Sequence, residues 1–118
     1  MAMAKPTPAA LSAFDAAYPD DDPRAERKKM FGMPAAFVNG NMFMGVFEDG
    51  LVLRLPEARR GELSELDDAG PFEPKPGSPW REYLHLGAAL PVDSLAQWAS
   101  EALEHTAQLP PKLKKPRR

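Results

Sequence analysis

The chain has no cysteine among its 118 residues. This absence excludes disulfide bridges, thiol catalysis, iron–sulfur clusters and zinc sites built from cysteine. Long apolar runs are missing too, since none approaches the roughly 20 residues that a membrane-spanning helix needs. The first fourteen residues hold one lysine and lack the apolar core of a secretory signal. Together these absences predict a cytoplasmic protein.

Recognisable catalytic and metal-binding motifs are also lacking. The serines lie outside the nucleophile patterns GxSxG and SxxK, and the two histidines form no HxH or HExxH pair. The sequence therefore predicts no metal and no cofactor. One catalytic alternative stays open, because Tyr83 and His85 lie two residues apart in a predicted strand and share a face. Such a pair can perform acid–base chemistry near neutral pH in a small enzyme, but it is more typical of a half-buried strand face without catalytic function.

The net charge of -2 is unevenly distributed. Residues 110–118 hold five of the 15 basic residues and no acid, which leaves 10 basic against 17 acidic residues in 1–109. We expect one domain over 1–109 with a flexible leader at 1–8, followed by a disordered basic tail. An acidic body matches a phosphate backbone poorly, so nucleic-acid binding rests on local cations. The candidate contacts are an internal cluster and the tail: Arg27, Lys28, Lys29, Lys112, Lys114, Lys115, Arg117 and Arg118.

Nine of the 14 prolines gather near the start, in the middle and at the end of the chain. Because proline cannot occupy the interior of a helix or a central strand, they mark a leader, a loop and a tail. Helical spacing of Leu11, Phe14 and Tyr18 predicts a first helix over about 8–18.

Two turn signals predict a hairpin meander. The pairs Asn39-Gly40 and Asp49-Gly50 each separate apolar runs and favour tight antiparallel hairpins. The predicted strands cover 35–38, 42–47 and 51–55, with an earlier strand at 29–33. The middle strand is apolar on both faces, so we expect a central position, with Met42, Met44 and Val46 on one side and Phe43 and Phe47 on the other.

The later part of the sequence predicts a helix over 56–70, a proline-rich loop, a strand over 81–86 and a last helix over 93–108. Ser94 and Gln97 fit a capping box at the start of the last helix. Because the strands follow one another through hairpins, the predicted class is α+β. The sheet is mainly antiparallel, a meander plus one later strand, flanked by N-terminal, middle and C-terminal helices.

Methionines concentrate around the predicted hairpins. Methionine is adaptable and occurs on binding surfaces as well as in cores. Phe31, Met42, Phe43 and Met44 are therefore candidate contacts for a protein partner or a second subunit, with core packing as the alternative.

The order of these motifs resembles the N-terminal domain of the TfoX/Sxy family, bacterial proteins linked to competence regulation. The resemblance extends over about residues 10–109 and is carried by Met30-Phe31-Gly32, Asn39-Gly40-Asn41-Met42-Phe43, the stretch from Asp49 to Leu55, Phe72, Tyr83, Trp98 and Ala102. It implies a sheet flanked by helices and a homodimer, and it supplies no catalytic residues. Full-length competence regulators of the family carry a second domain, whereas here a basic tail follows, so we expect a stand-alone domain.

The resemblance and the lack of catalytic motifs favour a non-enzymatic regulatory or protein-interaction module with an unidentified protein partner. A nucleic-acid-associated regulator and a small enzyme near Tyr83 and His85 are the alternatives.

Overall fold

The computed structural model describes residues 6–30, 33–73, 77 and 80–110. These residues form three helices and one antiparallel sheet with strand order β1-β2-β3-β4-β6-β5, which confirms the predicted α+β class. In chain order the elements are α1 (Pro8–Ala17), β1 (Glu26–Met30), β2 (Met33–Val38), β3 (Asn41–Phe47), β4 (Gly50–Arg54), α2 (Glu57–Leu63), β5 (Ala69–Pro71), β6 (Tyr83–Gly87) and α3 (Val92–Ala107).

Local signals explain where the helices begin and end. The Thr7 hydroxyl accepts a hydrogen bond from the Ala10 amide at 3.1 Å, and Pro8 occupies the first turn of α1. The predicted capping box of α3 is wrong. In this described stretch the helix begins earlier, after Pro91, and no side chain caps it. Ser94 therefore lies inside the helix, and the Gln97 amide donates to Glu101 instead.

Other boundaries also differ from the sequence prediction. Strand β1 begins three residues before the predicted strand and pairs antiparallel with β2. Helix α2 ends at Leu63, and the rest of the predicted helix forms turns. These turns lead into β5, which was not predicted and which pairs with β6 at the sheet edge.

The second hairpin turn lies one residue earlier than predicted. Phe47 pairs with Gly50, so Glu48 and Asp49 form the turn, and Glu48 has the positive φ of 54°. Gly50 is instead the first residue of β4. A Cβ atom there would overlap the Leu86 carbonyl oxygen and lie 2.9 Å from its carbon. Glycine is needed at this position because β6 passes close to the backbone.

A bulge in β3 changes which side chains face the helices. Ala36 pairs with Met44 and Phe37 with Met42, so Phe43 is the extra residue without a partner. As a result Phe43 and Met44 both pack in the core on the helix side, whereas Met42 lies on the opposite face. The predicted division of β3 into alternating faces is therefore wrong at Phe43 and Met42.

The main core lies between the sheet and the helices. Alternate residues of β4 and β6 face it, together with one stripe of α3 and one of α1. Its largest fully buried side chains include Phe14, Phe43, Met44, Leu51, Leu53, Leu95 and Leu103. The predicted alternation along β4 is confirmed, since Val52 lies in a separate cluster on the other face.

Both edge strands discourage pairing with further strands. Strand β1 carries the consecutive charged residues Glu26, Arg27, Lys28 and Lys29, all exposed. Strand β5 has only three residues and ends in Pro71. Charges, proline and short length are the devices by which edge strands avoid addition of another chain.

Candidate interaction surface

The sheet face opposite the helices carries a second apolar cluster. Ala35, Met42, Val52 and Phe72 are buried there, and Phe37, Phe47 and Tyr83 pack around them half-buried. We call this surface the aromatic face and define it by its five large rings, which are Phe37, Phe47, Phe72, Trp80 and Tyr83.

Small residues form the floor of the aromatic face. Ala35, Gly45 and Val52 are cross-strand partners in adjacent strands and share this side of the sheet. A Cβ atom on Gly45 would lie 3.2 Å from the Val52 side chain and 3.6 Å from the Met42 sulfur. The missing side chain at Gly45 leaves room for Met42 and Phe72 to settle on the sheet.

Four of the rings make a connected network. Phe72 has edge-to-face contacts with Phe47 and Trp80, at centroid distances of 5.0 and 5.1 Å, and Trp80 contacts Tyr83 at 5.5 Å. The Trp80 amide also donates to the Phe72 carbonyl at 2.9 Å. Ring pairs in these geometries add stability beyond the area they bury. Phe72 is nearly inaccessible, whereas 37% of Trp80 is exposed.

Tyr83 and His85 do lie on the same face, as the sequence predicts. The Tyr83 hydroxyl donates to the Met42 carbonyl at 2.7 Å, and burial raises the pKa of this hydroxyl above its ordinary value. His85 Nε2 lies 3.0 Å from the Phe47 carbonyl and 3.8 Å from an Asp49 carboxylate oxygen. Both side chains therefore form hydrogen bonds with backbone carbonyls of strand β3. This arrangement orients the rings of the aromatic face.

Charges of both signs border the aromatic face. The Lys28 ammonium lies 5.5 Å from the Phe37 ring centroid and 3.9 Å from a Glu26 carboxylate oxygen. The Arg54 guanidinium lies 5.7 Å from the Tyr83 ring centroid and forms an ion pair with Glu82 at 2.6 Å. Each cation is thus paired with an anion of the same chain, and the border carries no excess of positive charge.

The candidate contact residues taken from the sequence occupy different places. Phe43 and Met44 have no exposed surface, and Met42 is buried beneath the aromatic face. Phe31 lies outside the described residues. Met42 and Met44 are thus buried packing residues, and the exposed rings of the aromatic face belong to other residues.

The internal basic cluster is divided between the two faces of the sheet. Arg27 lies on the helix side, where it forms an ion pair with Asp15 and covers the Phe14 ring at 5.0 Å. Lys28 lies on the aromatic face, and alternation places Lys29 on the side of Arg27. The tail candidates Lys112, Lys114, Lys115, Arg117 and Arg118 lie outside the described residues.

An open groove of about 720 Å³ runs between α2 and α3. Arg59 spans it, with Nε 2.7 Å from one oxygen of Glu101 and Nη1 3.0 Å from Glu62, and its guanidinium lowers the pKa of Glu101 below the ordinary value. Burial and nearby arginines lower the pKa of His105 at one end of the groove. Arg59, Glu62 and Glu101 are thus paired with one another, whereas Glu104 of the same groove is paired with Arg24.

Among residues 6–30, 33–73, 77 and 80–110, no three histidine or carboxylate side chains come together as a metal-binding group. In the same residues no helix combines the length and the apolar character that crossing a bilayer requires.

The sequence reasoning missed Phe37, Trp80 and Arg54 as surface residues. One signal was available for Phe37, because strict alternation along β2 separates Phe37 from the core residues Ala36 and Val38. Trp80 follows a proline-rich stretch for which the sequence predicts only an irregular loop.

The described residues define a two-layer α+β domain, with helices covering one face of an antiparallel sheet and aromatic rings on the other. Within this class the chain belongs to the TfoX N-terminal domain family, whose family model matches residues 21–106. The match begins after α1 and so is shorter than the resemblance expected over 10–109. No curated protein and no solved structure matches the chain.

Proposed function

We propose that the chain is a non-enzymatic regulatory module that acts by protein–protein contact, related to the competence regulators that the family resemblance implies, and that it forms a homodimer through the aromatic face. The observation that carries this proposal is the set of partly exposed rings on a sheet face that none of the described helices covers. Tryptophan, tyrosine, phenylalanine and arginine are the residue types enriched at the centres of protein interfaces.

The charge pattern favours a second copy of the chain over nucleic acid. Lys28 and Arg54 lie beside Glu26 and Glu82, and the negative charge of these carboxylates opposes the approach of a phosphate backbone. A border with both signs is suited to a two-fold contact, because each cation can lie opposite an anion of the other copy.

The size of the face sets the expected affinity. Six strands spaced about 4.8 Å apart and about five residues long give a projected area of roughly 400 Å². A standard interface buries about 800 Å² per partner, so this contact is small. We therefore expect a dimer with a Kd in the micromolar range, of the order of 10 μM.

Sedimentation equilibrium over a wide concentration range tests the proposal. Trp80→Ser and Phe37→Ser each remove a partly exposed ring from the aromatic face, and we expect each to weaken the dimer at least tenfold. Leu11→Ser is the matched control, because Leu11 lies on α1 in the helix layer and has the same exposed fraction of 37% as Trp80. Circular dichroism establishes that all three variants fold.

Three results would contradict the proposal: a chain that stays monomeric at all concentrations, a dimer that Leu11→Ser weakens as much as Trp80→Ser, or a dimer that neither ring variant changes. Fluorescence anisotropy with labelled single-stranded DNA tests the nucleic-acid alternative on the same samples. Salt-sensitive binding that Trp80→Ser abolishes would favour that alternative, because stacking on exposed rings is how proteins hold unpaired bases.

A further inference from the structure

A small opening lies in the aromatic face at Gly70, the middle residue of the edge strand β5. Gly70 pairs with His85 and therefore lies on the same face of the sheet as that side chain. Apart from its chain neighbours, no described atom would lie within 4 Å of a Cβ atom on Gly70. Its φ is not positive, so the backbone does not require glycine here. The missing side chain therefore leaves open space on the surface.

Three side chains surround this opening, which we call the Gly70 notch. His85 lies beside it on β6, and Phe72 lies two residues further along the chain on the same face. Asp68 lies two residues before Gly70 and extends over Gly87, where a Cβ atom would be 3.2 Å from Asp68 Oδ2. Asp68 is exposed, and no described residue forms an ion pair with it. The notch thus has two aromatic walls and one carboxylate wall.

The most exposed measured ring of the aromatic face, Trp80, lies near this notch but outside it. Its ring contacts Phe72 and Tyr83, and 37% of the residue stays exposed. Trp80 precedes Tyr83, whereas Gly70 lies opposite His85, so ring and notch lie on opposite sides of Phe72. Two residues of strand span about 7 Å, which places ring and notch roughly 10 Å apart on one face. The ring therefore cannot fill the notch of its own chain without leaving Phe72.

A protruding ring and an open notch on one face suit a two-fold contact between identical chains. In such a contact, residue i of one copy touches residue j of the other, and the reverse contact is made as well. A two-fold axis that crosses the strands midway between Trp80 and Gly70 exchanges these two positions. It places the ring of each copy opposite the notch of the other.

The area of the contact also favours a second copy as the occupant. Because 37% of Trp80 is exposed, its insertion covers roughly 90 Å² at the ring and a similar area at the notch. Each copy supplies one ring and one notch, so the contact grows from roughly 400 to roughly 600 Å² per copy. This value is closer to the about 800 Å² that a standard interface buries per partner.

We propose that in the dimer the partner's Trp80 enters the Gly70 notch beside His85 and Phe72, and that its indole N–H donates to the Asp68 carboxylate. A buried tryptophan usually finds an acceptor for this N–H, and tryptophans in pockets carry much of the affinity of protein interfaces. This inference rests on the proposed dimer through the aromatic face and adds the residues that each copy contributes.

Filling the notch tests the contact. Gly70→Leu places a side chain in the open space, and we expect sedimentation equilibrium to show a dimer at least tenfold weaker than that of the natural chain. Gly61→Leu is the matched control, because a Cβ atom at Gly61 on exposed α2 also meets no described atom within 4 Å. We expect this control to leave the dimer unchanged. Circular dichroism establishes that both variants fold.

A mixture of Gly70→Leu with Trp80→Ser tests whether the two positions meet across the interface. Each variant alone loses both reciprocal contacts. In a mixed dimer, Trp80 of the first variant enters the intact notch of the second, and the new leucine lies opposite the small serine. We therefore expect the mixed dimer to be at least tenfold tighter than the dimer of either variant, measured by sedimentation with one variant fluorescently labelled at its N-terminus.

A further variant tests the hydrogen bond. Asp68→Ala removes the acceptor and leaves Gly70 and Trp80 in place, and we expect a dimer weakened severalfold. Glu65→Ala is the control, since it removes an exposed carboxylate three residues earlier. Equal effects of the two variants would overturn the assigned hydrogen bond.

The remaining outcomes separate this inference from the proposed function. If Gly70→Leu dimerises as tightly as the natural chain, or more tightly, the notch does not receive a ring and the inference is overturned. A mixed dimer no tighter than those of its components overturns it as well. If Trp80→Ser weakens the dimer and Gly70→Leu does not, the proposed function stands and only the notch contact fails. If the natural chain stays monomeric at all concentrations, the proposed function itself fails.

Discussion

Two glycine-to-alanine substitutions should shift the stability of the domain in opposite directions. At Gly50 the new methyl group would overlap the Leu86 carbonyl oxygen, which is backbone and cannot move aside as a side chain can. Strands β4 and β6 must separate locally, which costs overpacking energy of about 1–3 kcal/mol and weakens neighbouring hydrogen bonds. At Gly61, on the exposed side of α2, no described atom lies within 4 Å of the new methyl group.

We expect Gly50→Ala to lower the free energy of unfolding by about 3 kcal/mol, and Gly61→Ala to raise it by about 0.8 kcal/mol through better helix propensity. For a domain of this length, 1 kcal/mol corresponds to a shift in Tm of about 4 °C. The Tm should therefore fall by about 12 °C in one variant and rise by about 3 °C in the other.

Urea unfolding followed by circular dichroism measures both free energies, and calorimetry gives the two Tm values. The reasoning would be refuted if Gly50→Ala were as stable as the natural chain within 0.5 kcal/mol, since that would show that β6 does not approach β4 so closely. Equal losses at both positions would show that the effect is general to glycine replacement and is not caused by the Leu86 carbonyl.

Three other predictions concern single side chains. Glu48→Gly should raise the free energy of unfolding, measured with urea, by about 1 kcal/mol, because glycine adopts the positive φ at this turn without strain. Glu48→Ala should change this free energy little. Thr106→Val should also add about 1 kcal/mol, since the buried Thr106 hydroxyl has no hydrogen-bond partner among the described residues; a loss would contradict this. Arg59 lowers the pKa of Glu101 in the folded chain. Their ion pair should therefore add less than about 1 kcal/mol to the free energy of unfolding at pH values above the ordinary carboxyl pKa. This contribution should be lost as the pH falls through the lowered pKa. The stability difference between the natural chain and Glu101→Gln should accordingly be present at pH 7 and vanish in strong acid.

Sequence patterns predicted the parts of the fold that depend on local signals. The Asn39-Gly40 turn, the alternation of Leu51, Val52 and Leu53, and the long apolar stripe of α3 each specify an element through its own residues. The predicted sharing of a face by Tyr83 and His85 was confirmed for the same reason.

The parts that failed depend on partners far away in the sequence. Strand β5 exists because β6 pairs with it, and its three residues carry no strand pattern of their own. The bulge at Phe43 follows from how β2 and β3 align, which turns Phe43 toward the helices and Met42 away from them. The aromatic face could not be predicted as a unit, because Trp80 reaches it through a loop that the sequence marks only as irregular.

The central position of β3 also bears on the order in which the protein folds. This strand, Asn41–Phe47, has no charged residue, and such a segment aggregates readily when its edges are unpaired. Both of its neighbours, β2 and β4, are joined to it by two-residue turns, and hairpins of this kind form within about 1–10 μs. The pairing of β4 with β6 joins residues 29 to 37 positions apart and must come later, since closing a longer loop is slower. A nascent or refolding chain thus shields its most aggregation-prone segment by its fastest steps, before the slower closure of the sheet begins.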